Sequence, residues 1–398
     1  MTRDDRPAGR CALVILDGVG IGAAPDAGDY GDEGSNTLGN LARAVGGVAL
    51  PNLERLGLGC CRPLEGMRCT GATAAHGVAV PRGKGKDSTS GHWELCGMVV
   101  ERAFPTYPHG FPSEIVQAFS RATGRPVIGN RVASGTAIID ELGAKQLETG
   151  AWILYTSADS VFQIAAHEEL IPLAELVRAA EIARAILTGA HAVSRVITRP
   201  FVGEPGRFRR TANRRDYAVP PPAATLLDRL SDAGVPRRGI GKVDDLFAGR
   251  GITSRHTASN PEAYRLIAEA LETMEAGLLF ANVIEFDQTW GHRNDVPGFY
   301  QGLKDLDAVI PGLLGLLRTE DLMILTADHG NDPTTPSTDH SRESVPVLVA
   351  GPEVHAAPLG DVAFVDVGAT VAEFFGVAHP MGRSFLSDVW RMRGTRGG

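Results

Sequence analysis

Short apolar runs rich in β-branched residues recur along the chain, at Ala12 to Leu16, Trp152 to Tyr155, Leu278 to Phe286, Leu322 to Thr326 and Val345 to Val349. Runs of this length without polar alternation predict strands buried on both faces. Between them, apolar positions at helical spacing predict helices at Ala174 to Leu187 and Pro261 to Ala276. The second carries its own punctuation: Asn260 opens it, Pro261 takes the first position and Gly277 closes it. Strands alternating with helices predict an α/β protein with a mainly parallel sheet flanked by helices.

Four strands end at an acidic residue: Asp17 follows ALVIL, Asp159 follows WILYTSA, Asp287 follows VIEF, and Asp328 with His329 follows LMILTA. A lone Asp after a strand is ordinarily a turn residue. In open α/β sheets, however, the carboxyl ends of strands line the ligand crevice. Four such endings, two of them with histidine nearby, point to one site assembled from distant segments. The stretch 103–219 breaks the pattern, with Pro and Gly at both margins and an arginine-dense tail, RVITRPFVGEPGRFRRTANRR. It reads as an inserted domain, leaving 1–102 and 220–398 as a discontinuous core.

A length of 398 residues exceeds what one core usually supports, which agrees with two domains. The apolar fraction of 43% and charged fraction of 22% exclude a disordered or fibrous chain. A net charge of −8 argues against bulk attraction to nucleic acid or an anionic membrane, so an anionic ligand must be caught locally. The five cysteines, Cys11, Cys60, Cys61, Cys69 and Cys96, form no C-x-x-C pair and suggest reduced thiols in a cytoplasmic protein. The first apolar run is too short for a signal sequence or membrane span, so no targeting segment is expected.

The segment ADHGNDPTTPSTDH holds Asp328, His329 and His340, and EFDQTWGHRND holds Asp287 and His292. Carboxylate with imidazole suits zinc, manganese or iron, and two such clusters suggest two ions. Paired ions can clamp the entering and leaving oxygens of phosphoryl transfer. In PRGKGKDSTSGHWEL three hydroxyls, Ser88, Thr89 and Ser90, sit in a glycine-punctuated loop that could supply a nucleophile or be a surface turn. Gly18, Gly20 and Ala23 satisfy a loose dinucleotide fingerprint, but Pro25, Asp26 and Gly28 interrupt the helix it needs. The arginine tail, with Arg195, Arg199, Arg207, Arg209, Arg210, Arg214 and Arg215, suits phosphate recognition or a solvated face.

Taken together, DGVGIGAAPDAGDYGDEGSNTLGN, GKDSTSGHWEL, GNRVASGT, YTSADSVFQIAAHEE, RPFVGEPG, FDQTWGHRND and TADHGNDPTTPSTDH resemble the phosphopentomutase family of the alkaline phosphatase superfamily. The resemblance spans nearly the whole chain. It implies an alkaline-phosphatase-like core with a smaller α/β cap carrying substrate contacts. It further implies one manganese on Asp17, Asp328 and His329, a second on Asp287, His292 and His340, and Ser88 bridging both as the phosphorylated residue. The family position of Ser88 is often threonine. Ser157, Asp159, Arg195, Arg210 and Lys242 match sugar-phosphate contacts, while Arg215 stands where histidine is expected and is assigned nothing. The implied reaction interconverts (deoxy)ribose 1-phosphate and 5-phosphate through a sugar bisphosphate, which also acts as primer. The expected state is a monomer or weak homo-oligomer. The rival reading is a phosphatase, a phosphodiesterase or another phosphosugar mutase on the same metal core.

Overall fold

The computed structural model describes residues 9–157, 160–379 and 381–390; Asp159 lies outside them. The chain divides into two compact units, one formed by the residues up to Arg102 and from Pro221 onward, the other by Ala103–Pro220.

The first unit is built on an eight-stranded sheet. In spatial order its strands are Ser254–Arg255, Arg237–Ile240, Gly277–Val283, Arg10–Leu16, Leu322–Thr326, Val345–Ala350, Ala75–Val80 and Pro358–Ala363. All neighbours pair in parallel except Val345–Ala350, which is antiparallel to both of its partners. The three central strands are buried at every position, because helices cover both faces; this is why their sequences run apolar without alternation.

Register carries the main consequence for the site. Ile15 pairs with Thr326, so Asp17 and Asp328 each lie two residues beyond that matched pair. Leu16 pairs with Val283 on the other side, and the Asp17 N–H extends that ladder by donating to the Val283 carbonyl at 3.2 Å. At the opposite end of these strands, the Asp321 carboxylate accepts from the Arg10 backbone N–H and guanidinium, both residues being buried. A buried pair of this kind costs about 3–5 kcal/mol when one partner is removed.

The second unit has a six-stranded sheet ordered Val127–Val132, Trp152–Thr156, Val161–His167, Arg195–Val202 and Arg209–Arg210, with Arg215–Ala218 also paired to Arg195–Val202. Trp152, Leu154, Phe162 and Ile164 face one apolar cluster with Phe111, Phe119 and the helix Leu173–Ile186. Ile153, Tyr155 and Ala165 face a second cluster with Phe201 and the helix Gly135–Thr149. Both faces are covered, so this sheet too reads as continuous apolar runs.

Several local expectations need correction. The helix expected over Pro261 to Ala276 spans Asn260–Thr273. Its cap is Ser259, whose side chain accepts from the Glu262 N–H; the Asn260 amide oxygen instead accepts from the Glu285 N–H at 2.9 Å. Gly277 does not close the helix but opens the next strand at φ +115°, where a Cβ would lie 2.3 Å from the Pro236 carbonyl oxygen. The strand expected to reach Phe286 stops at Val283, and Phe286–Trp290 forms a π-helical turn. The reading of five reduced thiols is also overturned. Cys60 and Cys69 form a disulfide with Cα atoms 4.5 Å apart, while Cys11, Cys61 and Cys96 are free and buried. A turn folds back between the bonded pair, which linear spacing does not reveal, and the cytoplasmic reading loses the support it drew from thiols. Among the described residues no helix is long and apolar enough to cross a membrane.

Candidate metal centre and nucleophile

Asp17 ends its strand fully buried, and the chain turns at once through Gly18. Gly18 sits at φ +79°, and a Cβ there would come within 3.1 Å of Asn331 and 3.2 Å of Asp287. Glycine is therefore required by backbone conformation and by the convergence of three segments. The Gly18 N–H donates to Asp328 Oδ1 at 3.2 Å, tying the two strand ends together. No helix opens at these glycines, and a Cβ on Gly20 would strike the Glu343 carboxylate, so a dinucleotide has no place here.

Asp87 caps the helix Ser88–Leu95, accepting from the Thr89 and Ser90 N–H groups at 3.0 and 3.2 Å. The Ser90 hydroxyl is spent in that cap, donating to Asp87. Ser88, at the first helical position, points its Oγ elsewhere: 3.2 Å from Asp17 Oδ1 and 3.2 Å from His329 Nε2. A helix N-terminus also favours negative charge on that oxygen.

Two clusters of acid and imidazole meet beside Ser88. Asp17, Asp328 and His329 form one, and Asp287, His329 and His340 the other, with ligand-type atoms in each within 4.8 Å of one another. The π-helical turn presents Asp287, and His292 Nε2 reaches its Oδ2 at 3.3 Å. His340 Nε2 lies 3.3 Å from Asp287 Oδ1. The rings of His329 and His340 are centred 4.2 Å apart, those of His292 and His340 4.9 Å. His292 Nδ1 lies 2.7 Å from the Thr338 carbonyl and His329 Nδ1 3.0 Å from the Gly330 carbonyl. Each carbonyl can accept only from Nδ1–H, which turns Nε2 toward the site, where it faces Asp287 in His292 and Asp17 with Ser88 in His329.

Electrostatics fit a cation centre. Burial works to raise the Asp17 carboxyl, but Lys242, 2.7 Å from its Oδ2, and His329 hold it below the ordinary carboxylate range. Asp287 is likewise penalised by burial and driven well down by His340 and His292. Burial opposes charge on His329, yet the surrounding carboxylates, Asp328 foremost, push it up to about 10. The protein's own protons here occupy positions that a divalent ion would take. Asp17 Oδ2 lies 2.7 Å from Lys242 Nζ and Asp328 Oδ2 lies 3.0 Å from His92 Nδ1, so both buried carboxylates face nitrogen groups that balance their charge. This set of carboxylates and imidazoles without thiolate suits a divalent transition ion.

Lys242 is half-buried with its Nζ 3.5 Å from Ser88 Oγ, so it belongs to this cluster. Ser157, Arg195 and Arg210 lie in the second unit. Ser157 is half-buried just after the strand Trp152–Thr156; Arg195 Nη1 stands 3.7 Å from Asp216 Oδ2; Arg210 is exposed beside the start of the helix Gly135–Thr149. Asp159 is outside the described residues. Sequence reasoning missed Asn331, which is fully buried and donates to Asp287 Oδ1 at 2.7 Å. Its only signal was its place two residues after His329.

The sequence profile of the Metalloenzyme superfamily matches residues 9–379. A phosphopentomutase of Carboxydothermus hydrogenoformans is 52% identical over 384 residues, covering 96% of this chain and 99% of that protein. One of Dictyoglomus thermophilum is 53% identical over 385 residues, covering 96% and 98%. Among solved structures, Leishmania mexicana phosphoglycerate mutase superposes with a TM-score of 0.50 at 12% identity, covering 96% of this chain and 98% of that one, a likeness of fold.

Proposed function

The chain belongs to the phosphopentomutase family and uses divalent metal, and from that premise we propose that it moves a phosphoryl group between the 1- and 5-positions of ribose or deoxyribose phosphate by way of Ser88. The single observation that carries this reading is the seat of Ser88 Oγ, 3.2 Å from both Asp17 Oδ1 and His329 Nε2 at a helix N-terminus. Asp17, Asp328 and His329 would hold one manganese and Asp287, His292 and His340 the other. When bound, these ions supply charge neutralisation and lower the proton affinity of the Ser88 hydroxyl.

Phosphorylated Ser88 gives its phosphoryl group to the free hydroxyl of the sugar phosphate, the Ser88 Oγ–P bond breaking as the sugar O–P bond forms. The resulting bisphosphate is reversed, and the other phosphoryl group returns to Ser88. The Lys242 ammonium lies where it can balance charge on the moving group. Ser157, Asp159, Arg195 and Arg210 take the role of gripping the sugar phosphate, which suits guanidinium forks. Water must be kept from phosphorylated Ser88, since each hydrolysis removes the group that the next cycle needs. The pathway is pentose and nucleoside salvage, in the cytoplasm, where the charge of a phosphorylated sugar retains it.

The test incubates the protein with ribose 1-phosphate, manganese and a trace of sugar bisphosphate, following ribose 5-phosphate and free phosphate separately. Isomerisation should exceed phosphate release; the opposite ratio makes the chain a phosphatase. Ser88→Ala should abolish labelled phosphoenzyme while Thr89→Ala retains it.

A further inference from the structure

We propose that His92 is a positioning residue that sets Ser88 against the metal ligands, an inference that rests on phosphoryl transfer at Ser88. His92 lies one turn below Ser88 in the same helix and is fully buried. Its Nδ1 is 2.9 Å from the Ser88 carbonyl and 3.0 Å from Asp328 Oδ2. Its Nε2 is 3.4 Å from the Asn282 amide nitrogen, and its ring stacks on Phe280 with centroids 5.7 Å apart.

Asn282 and Phe280 belong to the strand Gly277–Val283, so one imidazole touches the nucleophile helix, the Asp328 carboxylate and the strand that leads to Asp287. An amide N–H directed at Nε2 makes that nitrogen the acceptor and puts the ring proton on Nδ1. The proton is aimed at the Ser88 carbonyl, with the Asp328 carboxylate in its field.

Gly91 gives the contact its closeness. A Cβ there would lie 2.1 Å from the Asp328 carbonyl oxygen, so the helix docks directly on the backbone of the strand end. Gly91 sets the spacing and His92 sets the rotation of the helix about its axis. Rotation matters because it swings Ser88 Oγ off the line of attack, and a displacement of about 1 Å can cost roughly 10²-fold in rate.

The experiment uses the full-length protein with His92→Asn, His92→Gln and His92→Ala. The Asn side chain places a donor where Nδ1 stands, and Gln places one where Nε2 stands. The Asn variant should keep kcat within about tenfold of the parent, while Gln and Ala lose roughly 10²-fold in kcat with KM held. Manganese affinity, titrated calorimetrically into chelator-stripped protein, should fall about 10–100-fold in Gln and Ala but not in Asn. In ¹⁵N-histidine-labelled protein, His92 should give a slowly exchanging Nδ1–H resonance, as the contact with the Ser88 carbonyl requires.

Equal impairment of Asn and Gln, losses that merely follow a fall in melting temperature, or a proton on Nε2 would each overturn the proposal. Phosphorylation of Ser88 and metal affinity report on His92 whatever the acceptor. Absence of isomerisation in the parent protein would strike the mutase reading alone.

Discussion

The two units handle charge in opposite ways. In the first, Asp17, Asp287, Asp328 and His329 are buried, each carboxylate facing an imidazole or ammonium group, their positions set by strand register and a π-helical turn. In the second, Arg195 is half-buried beside Asp216 and Arg210 is exposed. Buried charges cost several kcal/mol each unless matched, so the first arrangement is tolerable only with compensating cations and rigid geometry. Guanidinium groups near the surface cost little, and the proposed grip on a sugar phosphate would draw on them. Under the proposed function, the buried cluster that would hold metal and the arginines that would grip the sugar phosphate belong to different units.

The contrast can be broken most severely at Ser88. Ser88→Ala removes the hydroxyl proposed to carry the phosphoryl group and should lower isomerisation by roughly 10⁴-fold or more, measured with labelled bisphosphate. Next comes the metal: chelation should remove activity, and Asp287→Asn should weaken manganese affinity by at least about 10²-fold while leaving ribose 5-phosphate binding to the second unit's arginines. Arg195→Ala should do the reverse, raising KM roughly 10–100-fold with metal affinity unchanged, as loss of a charged hydrogen bond predicts. If the Arg195 variant also lost metal, the division between the units would fail.

The smallest effect concerns pH. His329 has its folded pKa raised to about 10. In chelated protein its contribution is therefore fully present below the unfolded value of about 6.5 and lost as pH rises through about 10. The melting temperature of chelated protein should decline across that window, whereas metal-loaded protein, which needs neutral imidazole, should not follow it.

Much of the core site was legible because a buried apolar run that ends in a charged residue is physically conspicuous. Asp17, Asp287 and Asp328 announced themselves in that way. The choice among Ser88, Thr89 and Ser90 was not legible from the residues, because it depends on Asp87 capping the helix and consuming the Ser90 hydroxyl. Asn260 was taken for the cap because cap preference describes residue types, whereas here its amide oxygen binds the Glu285 N–H and Ser259 takes the helix end. The Cys60–Cys69 bond and the contact of His92 with its own helix's first carbonyl leave no sequence spacing to read.

The buried Arg10–Asp321 pair pins one end of two neighbouring strands whose other ends bear Asp17 and Asp328. The gap between those carboxylates is thus measured out by rungs of backbone hydrogen bonds, much as the jaws of a caliper are set by its beam. Metal uptake becomes a gauge of sheet assembly: a refolding chain should gain the ability to capture manganese at the moment these central rungs close, giving the protein an internal reporter of its own folding.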